Sequence, residues 1–263
     1  MLRRFHKMHG LGNDFVIFDG REAPLEMHGA RARAVADRMT GIGCDQLIVL
    51  EQSASADLRM RIFNHDGSEV EACGNASRCV ALLIGGETRI ETKGGVILAS
   101  ASGSAASVDM GEPRFAWDAI PLAYPMDTAA MPVAWEELEC PAALNVGNPH
   151  VVFFLEDADA VDLGRLGPLI ENDPLFPHRV NVNVASPEEE ALRLRVWERG
   201  AGLTRACGTG ACATAVAAIK RGLVASPVEV RLPGGSLSID WSPGSPIQMT
   251  GPAAHVFTGE IDL

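Results

Sequence analysis

At 263 residues the chain is too long for one small core and suits two modest domains. Apolar residues make up 47% and charged residues 21%, which excludes a disordered or low-complexity protein. A formal charge of -12, from 22 basic against 34 acidic residues and with no basic run, argues against nucleic acid and against an anionic membrane surface as partners.

In chain order, residues 1–10 carry charge and two histidines but no apolar run, so no secretory signal is expected. No stretch of 18 apolar residues exists to span a bilayer, and a cytoplasmic protein is the expectation. The short apolar runs 16–18 and 47–50 read as strands, and the Ala-rich segment 30–39 has helical spacing. Residues 58–64 (LRMRIFN) alternate apolar residues with arginine, as a half-buried strand does. Residues 72–84 read as a helix that opens at Cys-Gly and stops at Gly85. The stretch holding Pro121, Pro125, Pro132 and Pro141 reads as a connection followed by an irregular strand. Beyond it come an apolar strand at 151–155, a second alternating strand at 192–198 (LRLRVWE), a second Cys-Gly helix at 206–221 ending near Gly222, and a strand at 228–232.

The chain is written twice. LRMRIFN recurs 134 residues later as LRLRVWE, and Ala72-Cys73-Gly74 falls on Ala206-Cys207-Gly208 at the same offset. Gly12-Asn13-Asp14-Phe15 lies over Gly147-Asn148-Pro149-His150, Gly94-Gly95 over Gly234-Gly235, and Val108-Asp109-Met110 over Ile247-Gln248-Met249. Two homologous halves, roughly 1–113 and 140–252, explain this. The expected fold class is α/β (α+β): two pseudo-symmetric duplicated domains, each a strongly curved sheet around a central helix, with the active site in the cleft between them.

The six cysteines (Cys44, Cys73, Cys79, Cys140, Cys207 and Cys212) read as thiols in a reducing compartment. Cys73 and Cys207 stand where a Gly-bearing loop meets a helix start. There, unpaired N–H groups and the helix dipole favour an anion, so a lowered thiol pKa is expected, and the same N–H groups can hold a carboxylate. Burial as ordinary packing residues is the competing reading; it suits Cys79 and Cys212 better, because they lie inside the helices. The cysteine spacings fit no metal site. None of the three lysines among 22 basic residues lies in a cofactor motif, which argues against a pyridoxal Schiff base. Two thiols supplied by equivalent positions of two halves suit removal of a proton from one face of a stereocentre and its return to the other.

Asn64-His65-Asp66-Gly67-Ser68 followed by Cys73-Gly74-Asn75-Ala76-Ser77-Arg78 resembles the signature of the diaminopimelate epimerase family. So do residues 10–15 (GLGNDF), 41–47 (GIGCDQL), 147–150 (GNPH), 197–200 (WERG) and 206–210 (ACGTG), in order over almost the whole chain. Ala76 stands where that family more often has glycine, and Cys44 where a larger apolar residue is common.

The resemblance implies a cofactor-independent isomerase that interconverts LL- and meso-2,6-diaminopimelate for lysine and peptidoglycan precursor synthesis, usually as a homodimer. It implies domains 1–113, completed by a returning strand at 253–263, and 114–252. Cys73 and Cys207 would exchange protons, with His150 and Glu198 supporting them. Asn13, Gln46, Asn64, Asn148, Asn181, Glu198 and Arg199 would bind substrate, and Gly74-Asn75 and Gly208-Thr209 would cradle the reacting carboxylate. The repeat pairs these positions independently: Asn13 with Asn148, Gln46 with Asn181, and Asn64 with Glu198. Asn183, two residues beyond Asn181, is the other amide that could fill that place. His6, His9 and His65 read as incidental. Two other functions stay open: a related amino-acid racemase of the same fold, and a thiol redox or sensor protein.

Overall fold

The computed structural model describes residues 1–71 and 73–263; Ala72, the first residue of the expected first Cys-Gly helix, lies outside them. The chain divides into two compact units, residues 1–109 with 250–263, and residues 110–249.

In the first unit, β1 (Leu2–Gly10) folds back on β2 (Asn13–Asp19) with Gly10 opposite Asn13. The two residues between them, Leu11 and Gly12, both take positive φ (57° and 87°), as a tight two-residue hairpin requires. Helix α1 (Gly29–Ala36) carries the chain to β3 (Gln46–Glu51), which runs parallel to β2. The helical spacing of 30–39 is followed only as far as Ala36. The Asp37 carboxylate accepts from the backbone N–H groups of Met39 and Thr40 and bends the chain into a turn. Next come β4 (Leu58–Asn64), antiparallel to β3, the short β5 (Glu69–Val70), and helix α2 (Gly74–Ile84). A meander of β6 (Gly86–Thr92), β7 (Gly95–Ser102) and β8 (Ala105–Asp109) completes the run. The C-terminal strand Ala254–Asp262 returns to pair with β1.

The second unit opens with a small hairpin, β9 (Ala134–Trp135) and β10 (Leu138–Glu139). It then repeats the plan with β11 (Ala142–Asn145), β12 (Pro149–Phe154), α3 (Leu163–Glu171), β13 (Asn181–Pro187), β14 (Ala191–Glu198), β15 (Gly202–Thr204), α4 (Gly208–Lys220), β16 (Val228–Leu232) and β17 (Gly235–Asp240). Register confirms the internal duplication. Phe15 pairs with Gln46 as His150 pairs with Asn181, Leu47 with Phe63 as Val182 with Trp197, and Leu58 with Ile90 as Leu192 with Val230.

Each half bends its sheet around one helix. Helix α2 contacts β1, β6, β7 and β8, and α4 contacts β11, β12, β13, β14, β16 and β17. A helix touched by strands on several sides must be apolar and slim all round. In α4 every residue from Gly210 to Ala218 is buried, and five of these nine are alanine.

The second unit also shows where packing tolerates no added atom. Gly167 of α3 lies flat against Trp197 of β14, where a Cβ would come within 2.5 Å of the indole. Gly167→Ala is expected to cost about 1–3 kcal/mol through this overpacking. Chemical denaturation checks it, and a midpoint unchanged from wild type would contradict the close approach.

Candidate active site

In the first unit, Cys73 is the N-cap of α2, with extended backbone (φ -150°, ψ 111°), and its carbonyl receives the N–H and hydroxyl of Ser77. The loop and strands beside it carry a directed chain of amides. Arg78, fully buried, donates to Asn75 Oδ1 at 2.8 Å; Asn75 Nδ2 donates to Asn13 Oδ1 at 3.1 Å; Asn13 Nδ2 donates to Asp45 Oδ2 at 2.9 Å. Asp45 and Asp14 also share Arg38, and Lys7 binds Asp14. Burial alone would raise the Asp14 carboxyl, but Arg38 and Lys7 outweigh it and hold Asp14 far below the usual carboxylate range.

A second chain sets Gln46. Ser68 gives its hydroxyl proton to Asp66, so it accepts from Asn64 Nδ2, and Asn64 Oδ1 then accepts from Gln46 Nε2 at 2.9 Å. Gln46 Oε1 is left buried with no hydrogen-bond partner among the described residues. A buried acceptor in that condition fits an N–H⁺ donor from a ligand.

In the second unit, Cys207 caps α4 with nearly the same backbone (φ -128°, ψ 109°), and its sulfur accepts from Gly210 N–H at 3.3 Å. Thr209 Oγ1 lies 3.5 Å from the sulfur. The Glu198 carboxylate also hydrogen-bonds the thiol and is itself held by the Thr204 hydroxyl at 2.6 Å. The thiol differs from the helix-start expectation. Burial, with the Glu198 charge adding to it, pushes its pKa well above the ordinary thiol range, while Thr209 and Gly210 only partly counter this. Desolvation outweighs the field of the helix N-terminus and favours the neutral thiol at Cys207. Burial likewise raises Glu198.

His150 lies on β12, Asn181 and Asn183 lie on β13, and Asn148 lies in the bend just before β12. His150 is fully buried, with Nε2 2.8 Å from Asn148 Oδ1 and Nδ1 3.1 Å from Asn183 Nδ2. Asn181 spends its amide within the protein, donating to the Pro149 carbonyl and accepting from Arg199 N–H. It therefore braces the two segments that carry Asn148 and Arg199. The exposed Arg199 guanidinium is tethered to the His178 carbonyl at 3.0 Å.

Thus within the first unit Gly74 and Asn75 follow Cys73 directly, Asn13 is tied to Asn75, and Gln46 and Asn64 form a second hydrogen-bonded pair. Asn148, His150, Asn181, Glu198, Arg199, Gly208 and Thr209 belong with Cys207 in the second. Arg78, Asp45, Ser68 and Thr204 were not singled out as site residues, although each holds one that was. The available signal for Arg78 was a lone charge on an otherwise small and apolar helix. Cys44 and Cys79 are packing residues, with burial raising each thiol to about 12. Among the described residues no group of three His, Cys, Asp or Glu side chains is placed to hold a metal ion. No helix among them is long and apolar enough to cross a membrane.

Two copies of one sheet-and-helix unit, each with a cysteine capping its helix, define a class of duplicated α+β proteins. A solved phenazine biosynthesis protein of the PhzF family from Enterococcus faecalis shares the fold, at TM-score 0.74 with 13% identity and all of both chains covered. A family described as diaminopimelate epimerase matches residues 5–116 and 142–256. A diaminopimelate epimerase from Rhizorhabdus wittichii is 71% identical over 99% of this chain and 96% of its own. One from Sphingopyxis alaskensis is 67% identical over 100% of this chain and 98% of its own. The chain belongs to the diaminopimelate epimerase family.

Burial holds the His150 imidazole down to about 3. The ring stays neutral in the fold, whereas in the unfolded chain it takes up a proton below about pH 6.5. The unfolded state therefore binds more protons between pH 6.5 and 3, and stability falls with falling pH by up to about 1.4 kcal/mol per pH unit from this residue. His150→Gln is expected to flatten the decline over that window in denaturation titrations. Parallel curves for the two proteins would contradict a neutral buried imidazole.

Proposed function

We propose that the chain interconverts LL-2,6-diaminopimelate and its meso form without a cofactor, as a homodimer in the cytoplasm. Cys73 and Cys207 serve as the two bases on opposite faces of one α-carbon. The observation that carries this reading is the matched placement of the two cysteines, each N-capping the equivalent helix of its half. Relatives of 71% and 67% identity bear the name of that epimerase.

In one direction a thiolate at Cys73 takes the α-proton, negative charge develops toward the substrate carboxylate, and the Cys207 thiol gives its proton to the opposite face. The sulfurs exchange charge, and the reverse reaction starts from that state. Backbone N–H groups at Gly74-Asn75 and Gly208-Thr209 stabilise the developing charge on the carboxylate. The buried, neutral Cys207 suits the donor role, and Glu198 fixes its thiol. When Cys207 becomes a thiolate, Gly210 N–H and the Thr209 hydroxyl are its stabilising donors.

A ligand with two amino-acid ends needs both polarities. Gln46 Oε1 and Glu198 can accept from ammonium groups, while Asn148 and Arg199 can donate to a carboxylate. Asn13, Asn64, Asn75 and Asn181 hold these groups in place or complete the binding. The supply of meso-diaminopimelate places the reaction in lysine biosynthesis.

The test is exchange of the α-proton in deuterated water. LL-diaminopimelate is expected to exchange and epimerise, and Cys73→Ser and Cys207→Ser each to lower kcat/KM by about 100-fold or more, the range of general acid–base catalysis. Equal rates on proline would replace the substrate assignment with a broader racemase. Full activity in both serine variants would instead favour a redox role for the thiols.

A further inference from the structure

We infer that Asn183 is a positioning residue: it locks His150 as the neutral Nε2–H tautomer and thereby turns the Asn148 amide so that its N–H groups face the ligand. The functional meaning rests on the reaction proposed above, whereas the geometry does not.

The argument starts from a group with one polarity. Asn183 Nδ2 lies 2.9 Å from the Val151 carbonyl, which can only accept, so the amide nitrogen and not the oxygen occupies that side. The second Nδ2 hydrogen has His150 Nδ1 at 3.1 Å and the Asn181 carbonyl only at 3.4 Å; because an amide nitrogen cannot accept, the ring nitrogen in contact with it must. A buried neutral imidazole has one proton, which is left on Nε2. Nε2–H donates to Asn148 Oδ1 at 2.8 Å. The Asn148 oxygen is therefore turned inward and Nδ2 outward, where the half-buried side chain has no other hydrogen bond among the described residues.

A second observation sets Asn183 apart from a packing residue. The residue is fully buried, yet Oδ1 has no hydrogen-bond partner among the described residues, lying beneath Gly210 where a Cβ would approach to 2.7 Å. An aliphatic residue at this place in β13 would strand no acceptor, so the orphan oxygen is what the structure tolerates to keep a donor on His150. The alternative of Asn183 as a direct substrate ligand fails because its buried nitrogen faces three acceptors inside the protein: the Val151 and Asn181 carbonyls and His150 Nδ1. The consequence is chemical: an outward amide N–H group selects a ligand acceptor, so Asn148 meets a carboxylate oxygen and discriminates against an ammonium group.

The test begins with the wild-type protein and no substrate. Two-bond proton–nitrogen correlation on histidine-labelled enzyme, assigned with His150→Gln, is expected to show Nδ1 unprotonated and Nε2 protonated from pH 5 to 9. Asn183→Asp keeps the shape but offers only acceptors. It is expected to move the proton to Nδ1 or create an imidazolium, and to raise the KM for diaminopimelate about tenfold with kcat changed less than about threefold. Asn183→Leu, which removes the donor and adds no acceptor, is expected to give a mixture of tautomers. A wild-type His150 carrying its proton on Nδ1 overturns the inference, as does an Asn183→Asp enzyme with unchanged tautomer and KM. Because the tautomer is read without substrate, an Nε2–H ring in an enzyme that does not turn over diaminopimelate rejects the reaction and leaves the positioning role standing.

Discussion

Enclosing a helix inside its own sheet is the constraint from which the rest of each half follows. At the N-terminus of the enclosed helix the first N–H groups have no carbonyl behind them. Small side chains are needed along the helix because strands approach from several directions, and α4 accordingly runs from Gly210 through alanines and Cys212 to Ala218. The N-terminus is the one end at which a negative group is welcome, and in both halves a cysteine stands there. Position in the fold thus precedes chemistry. Yet the same enclosure buries Cys207 deeply enough to keep it protonated, so the field that would stabilise a thiolate and the desolvation that opposes it come from one architectural choice.

Neutral amides surround these helix starts, and a neutral amide has a weakness that a carboxylate or guanidinium lacks: its two ends are nearly alike in shape and opposite in polarity. Each must be told which way to face. The structure does so by tying every important amide to a group of single polarity. Arg78 directs Asn75 and Asn13, the Asp66 carboxylate directs Ser68, Asn64 and Gln46, and the Val151 carbonyl directs Asn183 and, through His150, Asn148. These relays keep donors and acceptors aimed before any ligand arrives, so little reorganisation is left for the binding step.

Much of this was legible in the residues. The 134-residue echo of LRMRIFN in LRLRVWE carries over into equivalent strand registers, and both Cys-Gly junctions become helix starts. What escaped detection was set by distant packing. Helix α3 holds Gly164, Gly167 and Pro168, poor helix formers whose conformation is maintained by its packing on β13, β14 and β15. Strand β1 mixes charges into its apolar positions and carries an irregularity between Lys7 and Met8, which breaks the alternation. The burial of Arg78 depends on Pro252, 174 residues away in the chain, whose carbonyl faces its guanidinium. The raised pKa of Cys207 is hidden for the same reason, since local sequence announces a helix start but not how much water reaches it.

The two copies have kept their backbone register while exchanging side-chain character: Gln46 corresponds to Asn181, and Asn64 to the acidic Glu198. Two identical subunits built from one short gene would be obliged to change both copies together, and could never carry an amide in one and an acid at the equivalent place in the other. Fusion into a single reading frame lifts that restriction. It lets selection edit one copy at a time, so that equivalent positions of one backbone plan carry different polarity and charge.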